Sequence, residues 1–333
     1  MKRIIWRLSA AMLLMSCSSP SEVVNDVGSE PDVVSDVRPD ISDDSADSDA
    51  DTGDDATPVY LSIPEGCNPL AFEHDCLFPF PSNFFLVEDS TLPSGRRVQV
   101  PEAAQPATSA GIKVDLLHAH RVDGFSHHQP IVVKFPDTID TEPLVFHDDD
   151  PAVTRTAASS TILLEVDGDA VVHWTELDRM TMNDGERVFF IRPYERLKNN
   201  TRYIVALQNL DNTAGELIAA PEGFRHIRDG VRGGHPVLDA ELDRFEEDIF
   251  PQLEAFGVER GSLQLAWDFT TQTMEHVTAD MLAMREHLLA HFESEAPAVT
   301  IVGVDEGYDE LVFRRIRGTI TVPLYLTGRQ VDA

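Results

Sequence analysis

The sequence predicts an α+β fold, mainly β, carried behind a disordered acidic tether. Three observations predict it. Short apolar runs rich in β-branched and aromatic residues fill the middle of the chain, separated by Asn, Asp, Gly and Pro; they read as strands and turns. In the last third, apolar residues recur at threes and fours, the period of an amphipathic helix. Residues 18–58 hold about a dozen Asp and Glu against the single Arg38, with no aromatic residue. Such a composition cannot bury enough apolar area to offset chain entropy.

The first residues, MKRIIWRLSAAMLLMSC, carry Lys2, Arg3 and Arg7 ahead of a short apolar stretch. That is the pattern of a secretory signal, too short for a membrane span. Leu14-Met15-Ser16-Cys17 resembles the lipobox of bacterial lipoproteins. The resemblance implies a signal peptide over 1–16 and a lipid on Cys17, which anchors by burying acyl CH₂ groups at about 0.8 kcal/mol each. Ser18 rather than Asp after the Cys implies, by analogy with enterobacterial lipoproteins, the outer membrane or cell surface. An ordinary cleaved signal with an incidental Cys is the other reading. Residues 17–58 then form the tether. Asp47, Asp49 and Asp51 alternate as in a calcium loop, but Thr52 and Pro58 stand where an EF-hand needs Gly and Glu.

Val59 to Ala333 is long enough for one large domain or two ordinary ones. The formal net charge of the chain is -32. That argues against a nucleic-acid partner, which needs Lys and Arg patches. Besides Cys17 there are two cysteines, Cys67 and Cys76, in GCNPLAFEHDC. In an exported chain they read as a disulfide. A metal site of Cys67, His74 and Cys76 is the alternative, with ligand spacing that fits at one end only.

The Phe78-to-Pro81 run cannot be helical, because each Pro holds its predecessor extended. Phe84 to Leu86 is an apolar segment, Thr91 to Gly95 a turn, and Arg97 to Val100 a strand. Val188 to Ile191, the turn Leu197 to Asn200, and Tyr203 to Leu207 read as strand, turn, strand. Asn209 to Gly215 is a turn cluster, after which Leu217 and Ile218 begin a last short strand. Leu238, Leu242, Phe245, Ile249, Leu253 and Phe256 mark a helix that Pro236 opens, Pro251 kinks and Gly257 stops. Leu263 to Phe269 is a strand. Val277, Met281, Met284, Leu288 and Phe292 mark a second amphipathic helix capped by Thr273, its methionines read as core filler. Ala298 to Val304 and Arg314 to Tyr325 alternate like paired strands.

Two resemblances organise these elements. IRPYERLKNNTRYIVAL and DNTAGELI, with PIVVKFPDTIDTEPL upstream, resemble the strands of bacterial immunoglobulin-like surface domains. PFPSNFF, DGFSHHQPIVVKFP and LQLAWDFTTQT resemble the N-terminal region of secreted bacterial lipases and esterases, including lipase-related virulence factors. Together they imply a Cys/Pro/Phe-rich segment over 59–110, an immunoglobulin-like β-sandwich over 111–225, and an α+β segment over 226–333. That last segment would lead to an α/β-hydrolase domain beyond Ala333.

The chemistry of such a hydrolase needs a Ser within Gly-x-Ser-x-Gly, on a sharp strand-to-helix turn. The chain has no such word; Gly124-Phe125-Ser126-His127-His128 lacks the second Gly. His118, His120, His127 and His128 cluster in sequence and read as exposed loop histidines rather than metal ligands. Gly230 to Gly234 lacks the Lys-Ser/Thr of a phosphate loop and reads as a helix entry. Asp268, beside Trp267 on an apolar strand, reads as a structural acceptor of backbone hydrogen bonds. The site residues expected are therefore Cys17 for lipid and Cys67 with Cys76 for a disulfide, with no catalytic residue, metal or cofactor. The functional expectation is a non-catalytic N-terminal module of a lipid-anchored envelope protein, partnered by the membrane and a C-terminal hydrolase domain. A stand-alone surface binding or adhesion lipoprotein is the alternative.

Overall fold

Asn83–Phe85 makes one 3-10 turn, capped by the Ser82 hydroxyl, and runs directly into strand β1 (Leu86–Glu88). β1 pairs antiparallel with β2 (Arg96–Val98) across the Thr91–Gly95 turn. The computed structural model describes residues 60–117 and 121–325, all within the unit Ala56–Ala333. The signal segment and the tether lie outside the described residues.

Two three-stranded antiparallel sheets follow. β3 (Ile131–Lys134), β5 (His173–Leu177) and β6 (Val188–Pro193) pair in the order β3-β6-β5. β4 (Thr161–Glu165), β7 (Arg202–Gln208) and β8 (Leu263–Thr270) pair in the order β4-β7-β8. In β3, burial alternates with the pleat: Ile131 and Val133 point inward. Tyr203 to Leu207 make β7 a continuous apolar run, and all eight residues of β8 are buried, the polar Gln264 and Asp268 among them. Side chains of both sheets belong to one hydrophobic core. Trp267 is its largest fully buried member, and its Nε1–H donates to the Pro81 carbonyl at 2.8 Å. Phe269 stacks on Tyr203 with ring centroids 5.6 Å apart.

Helix α1 (Glu222–Arg228) packs on β8. It also approaches the disulfide loop so closely that a Cβ on Gly223 would lie 1.8 Å from the Pro69 carbonyl oxygen. α2 (Pro236–Arg244), a π turn (Phe245–Ile249) and α3 (Phe250–Phe256) form one interrupted helix. Pro251 has no N–H to offer the preceding turn, and the π turn accommodates that loss. Gly257, at φ 101, ends the helix in the left-handed region. α4 (Met274–Ser294) starts at Thr273, whose side chain accepts from His276 N. β9 (Val299–Glu306) and β10 (Arg314–Ile320) close the described chain as an antiparallel hairpin. The chain is thus mainly β with few helices, as the patterning predicted.

The expected strand, turn and strand are present as β6 and β7, and they sit in different sheets, so the turn between them is a crossover. Two expectations are corrected. Leu217 and Ile218 do not form a strand, only an isolated bridge from Leu217 to Asp211. The reason lies in Gln264: its buried amide bonds Leu210 N, Leu210 O and Ile218 O, so a side chain does the work of a neighbouring strand. Finally, α4 buries none of its residues, so its methionines fill no core; Met281 is 69% exposed.

Candidate interaction surface

Cys17, His118 and His120 lie outside the described residues. Cys67 and Cys76 form a disulfide, which removes both thiolates from any metal set with His74. Burial, opposed by nearby Glu73, lowers the His74 pKa. Among the described residues no group of three His, Cys, Asp or Glu side chains is placed to hold a metal.

The sequence neighbours Ser126, His127 and His128 do not form a nucleophile–base pair. Ser126 Oγ accepts from His128 N at 3.3 Å, while His127 turns its Nε2 to the Gln272 carbonyl at 3.1 Å. His127 is buried, which corrects the expectation of an exposed side chain, and that burial lowers its pKa. The Gly230–Gly234 stretch does lead into α2: Gly233 N donates to the Asp239 carboxylate, and His235 caps the helix.

Asp268 is an acceptor, but from side chains and not from backbone. Only 1% of its side chain is exposed. Its carboxylate receives Asn83 Nδ2 at 2.6 Å, Arg202 Nε at 2.6 Å and Arg244 Nη1 at 2.7 Å. Arg202 goes on to Asp248 and Arg244 to Glu241, so charges alternate along a chain of five side chains. Burial alone would lower the Arg244 pKa; the Asp268 and Glu241 carboxylates overcome it and raise the value. Sequence reading missed these partners because they lie 185, 66 and 24 residues from Asp268.

The most conspicuous surface is the arm made by α4 and the β9–β10 hairpin. It is tied to the body at the start of α4, where Thr273 N and Oγ1 both bond Asp123 and His276 Nε2 meets the Arg121 carbonyl at 2.7 Å. Beyond that, Tyr325 returns to α4, its hydroxyl donating to the Met284 carbonyl. The hairpin register sorts its side chains by face. Val304 opposes Ile316, Ile301 opposes Gly318 and Val299 opposes Ile320, on one face. Asp305 opposes Arg315, Gly303 opposes Arg317 and Thr300 opposes Thr319, on the other. The second face is satisfied internally, with Arg315 Nη2 2.8 Å from Asp305. The first face carries the Arg314–Glu306 ion pair at its turn end; beyond it, no described residue covers the apolar side chains, Ile301 being 60% and Ile316 57% exposed. The connecting turn adds Leu311 at 95% and Phe313 at 76%. A lone two-stranded hairpin is marginal in water, and an exposed apolar face of this kind makes it a candidate interaction surface. Periodicity revealed the helix and the strands; it could not reveal that no described residue covers them.

Among the described residues no helix is long and apolar enough to cross a membrane. Comparison of the sequence with family models and with curated proteins finds no match.

Proposed function

We propose that this chain is the non-catalytic N-terminal module of a bacterial cell-envelope lipoprotein related to secreted lipases and esterases. In this reading the two three-stranded sheets are an immunoglobulin-like sandwich. The tether and a lipid on Cys17 hold the module at the outer membrane or cell surface. The arm of α4, β9 and β10 is the element onto which an α/β-hydrolase domain docks. The observation that carries the reading is the exposed apolar face of the arm: Val299, Ile301, Val304, Ile316 and Ile320 share one face, while the opposite face carries the Arg315–Asp305 ion pair, and such a face is built to be covered. The divergent orientation of Ser126 and His127 supports the non-catalytic part.

The test is to determine the coding sequence that follows Ala333 and to assay its product on short-chain nitrophenyl esters. The expected result is a Gly-x-Ser-x-Gly word downstream, turnover by the longer product, and no turnover above buffer by residues 1–333. Turnover by residues 1–333 that disappears in Ser126→Ala refutes the non-catalytic reading. An unrelated gene directly downstream favours the second reading, a stand-alone binding lipoprotein; that reading draws on the exposed Leu311 and Phe313 at the hairpin tip, which would suit an external partner. For the anchor, Cys17→Ser is expected to move the protein from membranes to the soluble fraction and to abolish fatty-acid labelling. Unchanged membrane association and labelling refutes it.

A further inference from the structure

A cleft of about 430 Å³ opens over the ion-paired chain centred on Asp268, in the size range of ~300–1,000 Å³ usual for small-ligand sites. Its opposite wall is the β1–β2 hairpin, which presents Glu88 and Arg96. These two residues are partners in the strand register, yet among the described residues neither side chain makes an ion pair or hydrogen bond. Every charged group on the Asp268 side is already paired, so Glu88 and Arg96 are the only unmatched charges in the cleft, one of each sign. Leu86 and Val87 also line the cleft and supply apolar surface. Asn83, also on the wall, donates through Nδ2 to Asp268 but leaves its buried Oδ1 without a partner. A buried acceptor left unmatched in a cleft wall is a position where a ligand donor would be welcome after a small side-chain adjustment.

We propose that this cleft binds a small zwitterion of the amino-acid or short-peptide class. The ligand carboxylate pairs with the Arg96 guanidinium, which can hold it in a bidentate manner. The ligand ammonium, with three donors and no acceptor, goes to Glu88 and toward Asn83 Oδ1. The chemistry favours a ligand with both charges. A simple anion gains Arg96 but stands beside Glu88, and a simple cation gains Glu88 but stands beside Arg96. Leu86 and Val87 give an aliphatic side chain a place to lie. The site is separate from the arm and does not depend on a hydrolase domain.

The experiment uses the full chain carrying Cys17→Ser, so that it can be handled without detergent. Its thermal unfolding and calorimetric titration are followed with free L-alanine, L-leucine and the dipeptide Ala-Ala, and with acetate and ethylamine as single-charge probes. The expected result is a saturable rise in Tm with at least one zwitterion, because a ligand that binds only the folded chain stabilises it. Neither single-charge probe is expected to reproduce it. Arg96→Ala is expected to raise Kd by about tenfold or more, the loss of one charge-assisted hydrogen-bond pair. Its ligand-free Tm should be unchanged, since Arg96 holds no partner in the fold. Glu88→Gln is expected to weaken the zwitterions as well. The proposal is overturned if no zwitterion binds saturably, if acetate or ethylamine binds as tightly, or if Arg96→Ala leaves Kd unchanged.

Discussion

Replacing Asp268 with Asn keeps the shape of the side chain and removes its charge. In the native chain that carboxylate is 1% exposed and accepts from Asn83, Arg202 and Arg244 at 2.6–2.7 Å. It joins the turn before β1, the first residue of β7, the last residue of α2, and β8 itself. An amide can still accept from one guanidinium, but its NH₂ group faces the other donors. Breaking a buried pair in this way costs ~3–5 kcal/mol. Here the lower end applies. The Arg202 and Arg244 side chains are 27% and 30% exposed, and each keeps a second carboxylate, Asp248 or Glu241. The expected loss for Asp268→Asn is therefore about 3 kcal/mol. Urea unfolding followed by the fluorescence of buried Trp267 reads it as a midpoint lowered by roughly 1 M or more, with the slope m unchanged. Asp248→Asn is the control. Its side chain is 49% exposed, so losing its pair with Arg202 is worth about 1 kcal/mol or less. If Asp268→Asn stays within about 1 kcal/mol of wild type at constant m, the network does not hold these four elements together.

Four further outcomes are expected. His173 is fully buried between Thr161 Oγ1 and the Val171 carbonyl, and burial lowers its pKa from 6.5 to about 4. Protons therefore favour the unfolded chain: this contribution is complete above pH ~6.5 and is lost as pH falls toward 4, by about 3 kcal/mol. The urea midpoint should fall less steeply from pH 7 to pH 4.5 in His173→Asn than in wild type, and equal slopes would contradict the assignment. Cys67→Ser with Cys76→Ser should cost roughly 2–3 kcal/mol by loop entropy, and an unreduced peptide map of the wild type should show the two linked. Gly223→Ala drives a methyl into the Pro69 backbone at 1.8 Å, which no side-chain movement relieves; about 3 kcal/mol or more is expected in the same unfolding assay. Ile301→Asp or Ile316→Asp should change stability by only about 0.5 kcal/mol while reducing the binding of an apolar dye, because both side chains face water. A large loss of stability would mean that the hairpin face is already covered.

Much of the local structure was legible in the sequence. Periodicity placed β6, β7, β8, the α2–α3 helix and α4, and composition placed their ends: Pro251 interrupts, Gly257 stops, Thr273 caps. These features depend on near neighbours, so near-neighbour patterns report them. The pairing of Cys67 with Cys76 was legible for the same reason, since only nine positions separate them.

What only the tertiary structure decided is every contact made over long sequence distances. β6 and β7 look like a hairpin because their spacing fits one; the sheets divide them because each strand finds a better partner far away, β6 with β3 and β5, β7 with β4 and β8. Asp268 carries no sign in its neighbours of the three donors that meet it, because they arrive from other elements. The α4 pattern shows one apolar stripe whether or not anything lies against it, for periodicity records which face can be buried and not what buries it. That distinction turns the α4 methionines from expected core into exposed surface.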